Sequence, residues 1–230
     1  MAIIYLGDKK YSYSIVRKPI LSLRLRLKTS RSFVVSCPRL TPEFVINRFI
    51  KNNQNWIIKH SQKVPVKKLF KNSKKLVILG EVYQLHFVNT QRDSVIISTL
   101  DKKIYVNISK ATNKHIRLIL EKKLRPLALK LIRQELDSLS LKYNFSFNNV
   151  TVRNQSSRFG SCSSRGNLNF NWQIIFFPPD KFRHILLHEL NHLKIKNHSA
   201  VYWNQLTTYD PDCKSNNLWL KKEGTKYFLF

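Results

Sequence analysis

The run His188-Glu189-Leu190-Asn191-His192, with a further histidine at His198, is the part of this 230-residue chain whose residue types and spacing name a chemistry. Residues four apart on a helix point the same way, one turn above each other. His188 and His192 can therefore hold one metal ion between their imidazoles. Glu189 lies just off that face and can reach a water on the ion. Such a set points to metal-assisted hydrolysis. From the residue frequencies, two histidines and a glutamate arise at this spacing by chance in roughly one chain of this composition in a few hundred.

His184 lies on the same stripe, but His184 and His192 are about 12 Å apart along a helix axis at 1.5 Å per residue. They cannot share one ion, and only the His188/His192 pair brackets a glutamate. His184 reads as a structural or supporting residue. The third ligand is best assigned to His198, provided that the helix ends before it and the chain turns back. Metzincin proteases have this histidine spacing and place a glycine at the turn. Here that position is Ile195, and Asn197 is expected to supply a left-handed residue instead. Three neutral imidazoles leave a fourth position open for water, the pattern of a catalytic zinc site holding one Zn2+. Glu189 is then the general base. A cation should stabilise the oxyanion. Arg158, in Ser-Ser-Arg-Phe-Gly-Ser-Cys, is the first candidate, with a purely structural role as the competing reading; Tyr202 is the second.

The elements that position these residues can be read from periodicity. Leu21, Leu23, Leu25 and Leu27 alternate with Ser22, Arg24 and Arg26, the signature of a half-buried strand. YSYSIVR before it and SFVVS after it extend this to a meander. Thr41 is expected to cap a helix that starts at Pro42 and runs toward Trp56 and Lys59. A basic stretch, KVPVKKLFKNSKK, reads as a loop or linker. KLVILG, VYQLHFV, VIIST and KIYVN read as strands, with a turn at Gly80. A long helix is expected from about Ala111 to Tyr143, with Ile116, Leu120, Leu124, Leu127 and Leu131 on one face. Next come a strand, a Gly/Ser-rich turn and the strand NLNFNW. Asp180, Ser199 and Asp210 are expected to cap three further helices, the first carrying His188 and His192. No internal repeat is visible. The fold class is α+β: a β-rich region over residues 1–110, then a helical and short-sheet catalytic unit over 111–230.

Composition sets limits on partners. The apolar share of 43% is that of a globular protein, and no apolar stretch approaches the length of a membrane span. The start has too short an apolar run for a secretory signal, and the three cysteines form no disulfide framework. These features point to the cytoplasm. The formal charge of +28 rests on 41 Lys/Arg against 13 Asp/Glu. A field this positive draws polyanions, so nonspecific nucleic-acid binding through a basic surface is an expectation beside the blander one of a solvated basic surface.

The chain resembles the YgjP-like metallopeptidases, a zincin family related in its catalytic helix to SprT-like and WLM proteases. The resemblance rests on VRNQSSRFGSCSSRGNLNFNW, HELNHLKIKNHSAVYW and DPDCKSNNLWL, with a shorter likeness at LGEVYQL and around Trp56. It spans about residues 20–222. It implies a zinc site of His188, His192 and His198, with Glu189 as catalytic base. Phe159 stands for the usual Trp, Tyr202 for Phe and Cys213 for Tyr. These departures leave the metal set whole. A peptide or protein is then the expected substrate, aligned by backbone pairing to an exposed strand such as NLNFNW. A nucleoside triphosphate pyrophosphatase is the alternative, since the same motif serves attack at phosphorus. A nucleic-acid-associated protease is a third reading.

Overall fold

The computed structural model describes residues 2–62, 74–155 and 158–230. The basic stretch expected as a linker falls mostly on 63–73, outside the described residues, as do Ser156 and Ser157 of the Gly/Ser-rich turn. The chain forms two compact units, Met1–Val66 and Lys67–Phe230. The expected α+β class is what the two units show, with strands concentrated in the N-terminal half and helices in the C-terminal half.

The N-terminal unit contains β1 (Ala2–Leu6), β2 (Lys9–Lys18), β3 (Arg24–Thr29), β4 (Ser32–Pro38), α1 (Glu43–Asn52) and α2 (Gln54–Ser61). Its sheet order is β1-β2-β4-β3. This is not the meander expected from the sequence, because β2 pairs with β4 in parallel and β3 returns antiparallel on the far side of β4. Strand pairing is long-range and leaves no local periodicity. The alternation itself holds from Leu23 onward, with Leu25 and Leu27 half-buried opposite Val35 and Phe33 while Arg24 and Arg26 face solvent. Leu21 precedes the strand and is fully exposed. One face of the sheet packs Tyr11, Phe33, Val35 and Cys37 against Ile46, Ile50 and Ile57 of the helices. Pro42, not Thr41, takes the N-cap position of α1, with no side-chain cap bond. Arg17 Nη1 instead holds the approach to α1 by donating to the carbonyls of Arg39 and Thr41.

The C-terminal unit opens with β5 (Lys75–Ile78), β6 (Glu81–Asn89), β7 (Ser94–Ser98) and β8 (Lys103–Ile108). Their order is β5-β6-β8-β7, again with an antiparallel, a parallel and an antiparallel pair. Two sheets of one topology thus occur in a chain whose sequence shows no repeat. Alternating Leu76, Ile78, Tyr83, Leu85, Val95, Ile104, Val106 and Ile108 form the buried face.

That face shares a core with α3 (Asn113–Tyr143). Thr112 caps α3 by accepting from the His115 amide, and Asn144 ends it in the left-handed conformation. The buried stripe runs Ile116, Leu120, Leu124, Ala128, Ile132, Leu136 and Leu139. Leu127 and Leu131, expected on it, sit at its margin and are half-buried. Each buried aliphatic side chain of this kind contributes roughly 1.5–3 kcal/mol through removal from water, so the stripe makes α3 the spine of the unit.

A three-stranded sheet follows, with β9 (Val150–Arg153), β10 (Gly160–Cys162) and β11 (Leu168–Asn171) in the order β10-β11-β9. A 3-10 turn over Trp172–Phe176 leads to α4 (Pro179–Lys194), α5 (Ala200–Tyr209) and α6 (Cys213–Glu223). The sheet of β5–β8 also anchors the start of α4. The Leu79 amide donates to the Ile175 carbonyl at 2.7 Å, and a methyl group at Gly80 would lie 3.3 Å from the Pro179 ring. No helix among the described residues is long and apolar enough to cross a membrane.

Candidate metal centre

Helix α4 is driven into the core by Phe182, Ile185, Leu186, Leu187 and Leu190, which leaves His188 and His192 half-buried on the opposite side. The N-cap of α4 is Pro178 with no side-chain cap bond, so Asp180 lies in the first turn rather than capping it. There it still complements the helix dipole. The helix stops because Ile195 is extended, at φ −128° and ψ 112°. Asn197 does not supply the expected left-handed turn. Among the described non-glycine residues only Leu79, Lys102 and Asn144 have positive φ. An extended exit followed by α5 brings the chain back without one.

His198 then approaches the helical pair. Its Nε2 lies 3.1 Å from His188 Nε2 and 3.2 Å from His192 Nε2. His192 Nδ1 lies 3.0 Å from the Ile195 carbonyl oxygen. A carbonyl only accepts, so Nδ1 carries the hydrogen and neutral His192 turns a bare lone pair inward. Burial lowers the pKa of His192, and burial together with the neighbouring histidines lowers that of His188 to about 3. Both rings are neutral at pH 7, the state in which imidazole binds a metal. Ring nitrogens bound tetrahedrally to one zinc ion at about 2.0–2.1 Å stand about 3.3 Å apart. The donor set fits such an ion, and His188, His192 and His198 form the three-residue group of potential ligands found among the described residues.

The rings are held by α5. Tyr202 stacks on His192 with centroids 4.6 Å apart and meets the edges of His188 and His198. Trp203 stacks on His198 at 5.7 Å. Tyr202 is fully buried, and its hydroxyl donates to the His188 carbonyl at 3.0 Å, so it serves as core and not as an oxyanion group. Burial raises its pKa, which keeps the hydroxyl a donor. Asn191 Nδ2 donates to the Tyr202 carbonyl and ties α5 to α4. Sequence reasoning missed Asn191 and Trp203. The only signal was their position, Asn191 inside the motif and Trp203 in the turn of helix after His198.

Glu189 is buried, and burial pushes its carboxyl up to about 8. Strand β10 runs directly against it: a methyl group at Gly160 would come within 2.7 Å of Glu189 Cγ and 2.8 Å of Oε1. Only glycine lets the backbone pass so near. β10 is the outer strand of its sheet, whereas β11, the strand of NLNFNW, has β10 on one side and β9 on the other. The strand expected to receive a peptide is therefore paired on both edges, and among the described residues β10 has one edge without a strand partner.

His184 is buried, and its Nδ1 donates to Asp210 Oδ2 at 2.5 Å. Asp210 was expected to cap α6, but the N-cap position is Asp212. The Asp210 carboxylate instead accepts from His184 and from Asn216 Nδ2, which locks the start of α6 onto α4. A cavity of about 200 Å³ opens between these elements. Exposed Arg158 lines it together with His188 and Glu189.

No curated protein matches the chain. Two solved structures superpose on part of it, each with a TM-score of 0.35. One is the metallopeptidase zymogen jannalysin of Methanocaldococcus jannaschii, 25% identical over 40% of this chain and 95% of that one. The other is the zymogen abylysin of Pyrococcus abyssi, 19% identical over 39% of this chain and 93% of that one. The classification rests instead on the sequence profile of a family described as YgjP-like, metallopeptidase domain, which matches residues 21–223. With that match over most of its length, the chain belongs to the YgjP-like metallopeptidase family, whose members are hydrolases with a metal cofactor and peptide or protein substrates.

Proposed function

We propose that this protein is a zinc-dependent peptidase in which His188, His192 and His198 hold one zinc ion and Glu189 is the general base. The observation that carries this reading is the convergence of three Nε2 atoms, with two contacts of 3.1 and 3.2 Å, on a helix that presents a carboxylate beside them. Zinc bound there supplies a Lewis acid for the scissile carbonyl and makes water a nucleophile near neutral pH.

The chain's own residues do the rest. Glu189 accepts a proton from the attacking water and returns it to the amine nitrogen as the peptide bond breaks. Burial raises the pKa of this carboxyl in the metal-free chain, and so its basicity. The open edge of Gly160–Cys162 pairs with an extended substrate backbone and holds the scissile bond next to Glu189. Arg158 lines the same cavity as His188 and Glu189, which supports it as the cation that stabilises the developing oxyanion. Tyr202 and Trp203 pack against the histidine rings and fix their orientation.

The test is cleavage of an unfolded protein by the purified chain. Activity should vanish with a chelator, return with zinc, and fall by at least about a hundredfold in Glu189→Gln carrying its full complement of metal. Undiminished cleavage by that variant rules the mechanism out.

A further inference from the structure

The cavity beside Glu189 is more than an opening onto the histidines. Its walls are Phe159, Ile185 and Leu220, and its polar rim is Arg158, Asn217 and Lys221. Arg158 comes from the loop before β10, while Asn217 and Lys221 lie four residues apart on α6, on one face of that helix. Arg158 and Lys221 are both exposed. Among the described residues neither makes an ion pair, although the chain has acids on nearby elements. Glu189, the one acid on the wall, is buried against Gly160, whereas the two cations are exposed. Two unneutralised cations over an apolar cup form a receptor for an anion on a short apolar stem.

We propose that this cavity selects substrates by a carboxylate next to the scissile bond, with the stem against Phe159, Ile185 and Leu220 and the head on Lys221 and Asn217, Arg158 being left to the oxyanion. The volume, about 200 Å³, is below the roughly 300–1,000 Å³ of pockets that enclose drug-sized ligands. It suits one amino-acid side chain or a chain terminus and is too small to enclose a nucleotide. The net charge of +28 acts in the same direction, raising the local concentration of acidic peptides. The carboxylate can belong to an internal Asp or Glu or to the substrate's C-terminus.

This inference rests on the peptidase reading, so its test uses binding as well as turnover. Fluorescent peptides identical but for Glu, Gln or Lys at one position, each with a free or amidated C-terminus, are titrated against zinc-loaded Glu189→Gln. The same peptides are assayed for cleavage by the wild type. The Glu peptide should bind, and be cleaved, at least about fivefold better than its Gln isostere, with the advantage shrinking as salt rises. If the terminus is what is read, the gap appears instead between free and amidated forms. Lys221→Glu should erase or invert the preference, while Lys222→Glu, an equal change of net charge on an exposed neighbour outside the cavity, should preserve it. Equal binding of the Glu and Gln peptides with no effect of amidation would overturn the proposal, as would a preference untouched by Lys221→Glu. Displacement of the peptides by a nucleoside triphosphate but not by an acidic peptide would also overturn it. Loss of cleavage with the binding preference intact would fault the peptidase reading alone.

Discussion

The sheet of β1–β4 and the sheet of β5–β8 share strand order and strand sense, and each is followed by helix. Each also begins with a hairpin turned at a glycine of positive φ, Gly7 and Gly80. They differ in what those turns touch. Gly7 faces Ile58 of α2, within a small unit that carries none of the candidate site residues. Gly80 faces Pro179, the first residue of the helix that carries His188, Glu189 and His192. The outer faces differ too. Arg24 and Arg26 are exposed on β3, whereas the corresponding edge strand β7 exposes Ser94 and Ile96. One topology thus underlies the unit that carries the candidate site and also the unit that carries none of its residues, so the candidate site depends on what is attached to the sheet.

The sharpest way to break this contrast is to compare substitutions in the two units. Glu189→Gln should lower kcat/KM by roughly 10²–10⁴-fold, the range for loss of a general acid-base group. Arg24→Ser combined with Arg26→Ser should leave cleavage of an uncharged peptide within about twofold. A comparable loss from the sheet substitutions would place part of the active site in the N-terminal unit.

A second contrast lies in pH. In the metal-free protein, Glu189 has a folded pKa of about 8, above its ordinary 4.5. Its neutral form therefore favours folding below pH 4.5, and that contribution is lost as pH rises through 8. His188, lowered from 6.5 to about 3, has the opposite sign. Its contribution is present above pH 6.5 and is lost as pH falls toward 3. Chemical denaturation of the metal-free chain should find the C-terminal unit losing on the order of 3 kcal/mol between pH 5 and pH 8.5 through Glu189. Glu189→Gln should abolish that alkaline loss and leave the acid arm. Persistence of the alkaline loss in the variant would assign it to another group.

The paired glycines give a smaller and more local test. Gly7→Ala and Gly80→Ala each force a side chain into positive φ and should each destabilise by about 1–2 kcal/mol. Only Gly80→Ala, crowded against Pro179, should also lower zinc affinity. Equal metal affinity in both variants would show that the β5–β6 turn does not position α4.

The smallest expected effect is at Leu21, which alternation alone assigns to the core and the structure leaves in solvent. Leu21→Ser should change stability by less than about 0.5 kcal/mol, while Leu27→Ser, half-buried opposite Phe33, should cost more. Thermal unfolding of the two variants measures the difference.

These cases show what the sequence made legible. The spacing of His188 and His192 was readable because a helix turns local spacing into direction, and the nearness of His198 because only a short exit separates it from the helix. Strand positions were readable from alternation, but their order was not. The parallel pairings β2/β4 and β6/β8 join segments whose partners no local pattern names. For the same reason NLNFNW looked like an open edge and is a central strand. Asp210 looked like a cap because Asp before Pro usually is one, and the buried His184 across the chain took its carboxylate instead. The expected turn at Asn197 failed because an extended Ile195 achieves the same reversal.

Metal analysis of the purified wild type beside His198→Ala and Glu189→Gln tests the central claim most directly. The account predicts one zinc ion per chain in the wild type and in Glu189→Gln, and its loss from His198→Ala. Equal metal content in the wild type and His198→Ala would contradict it.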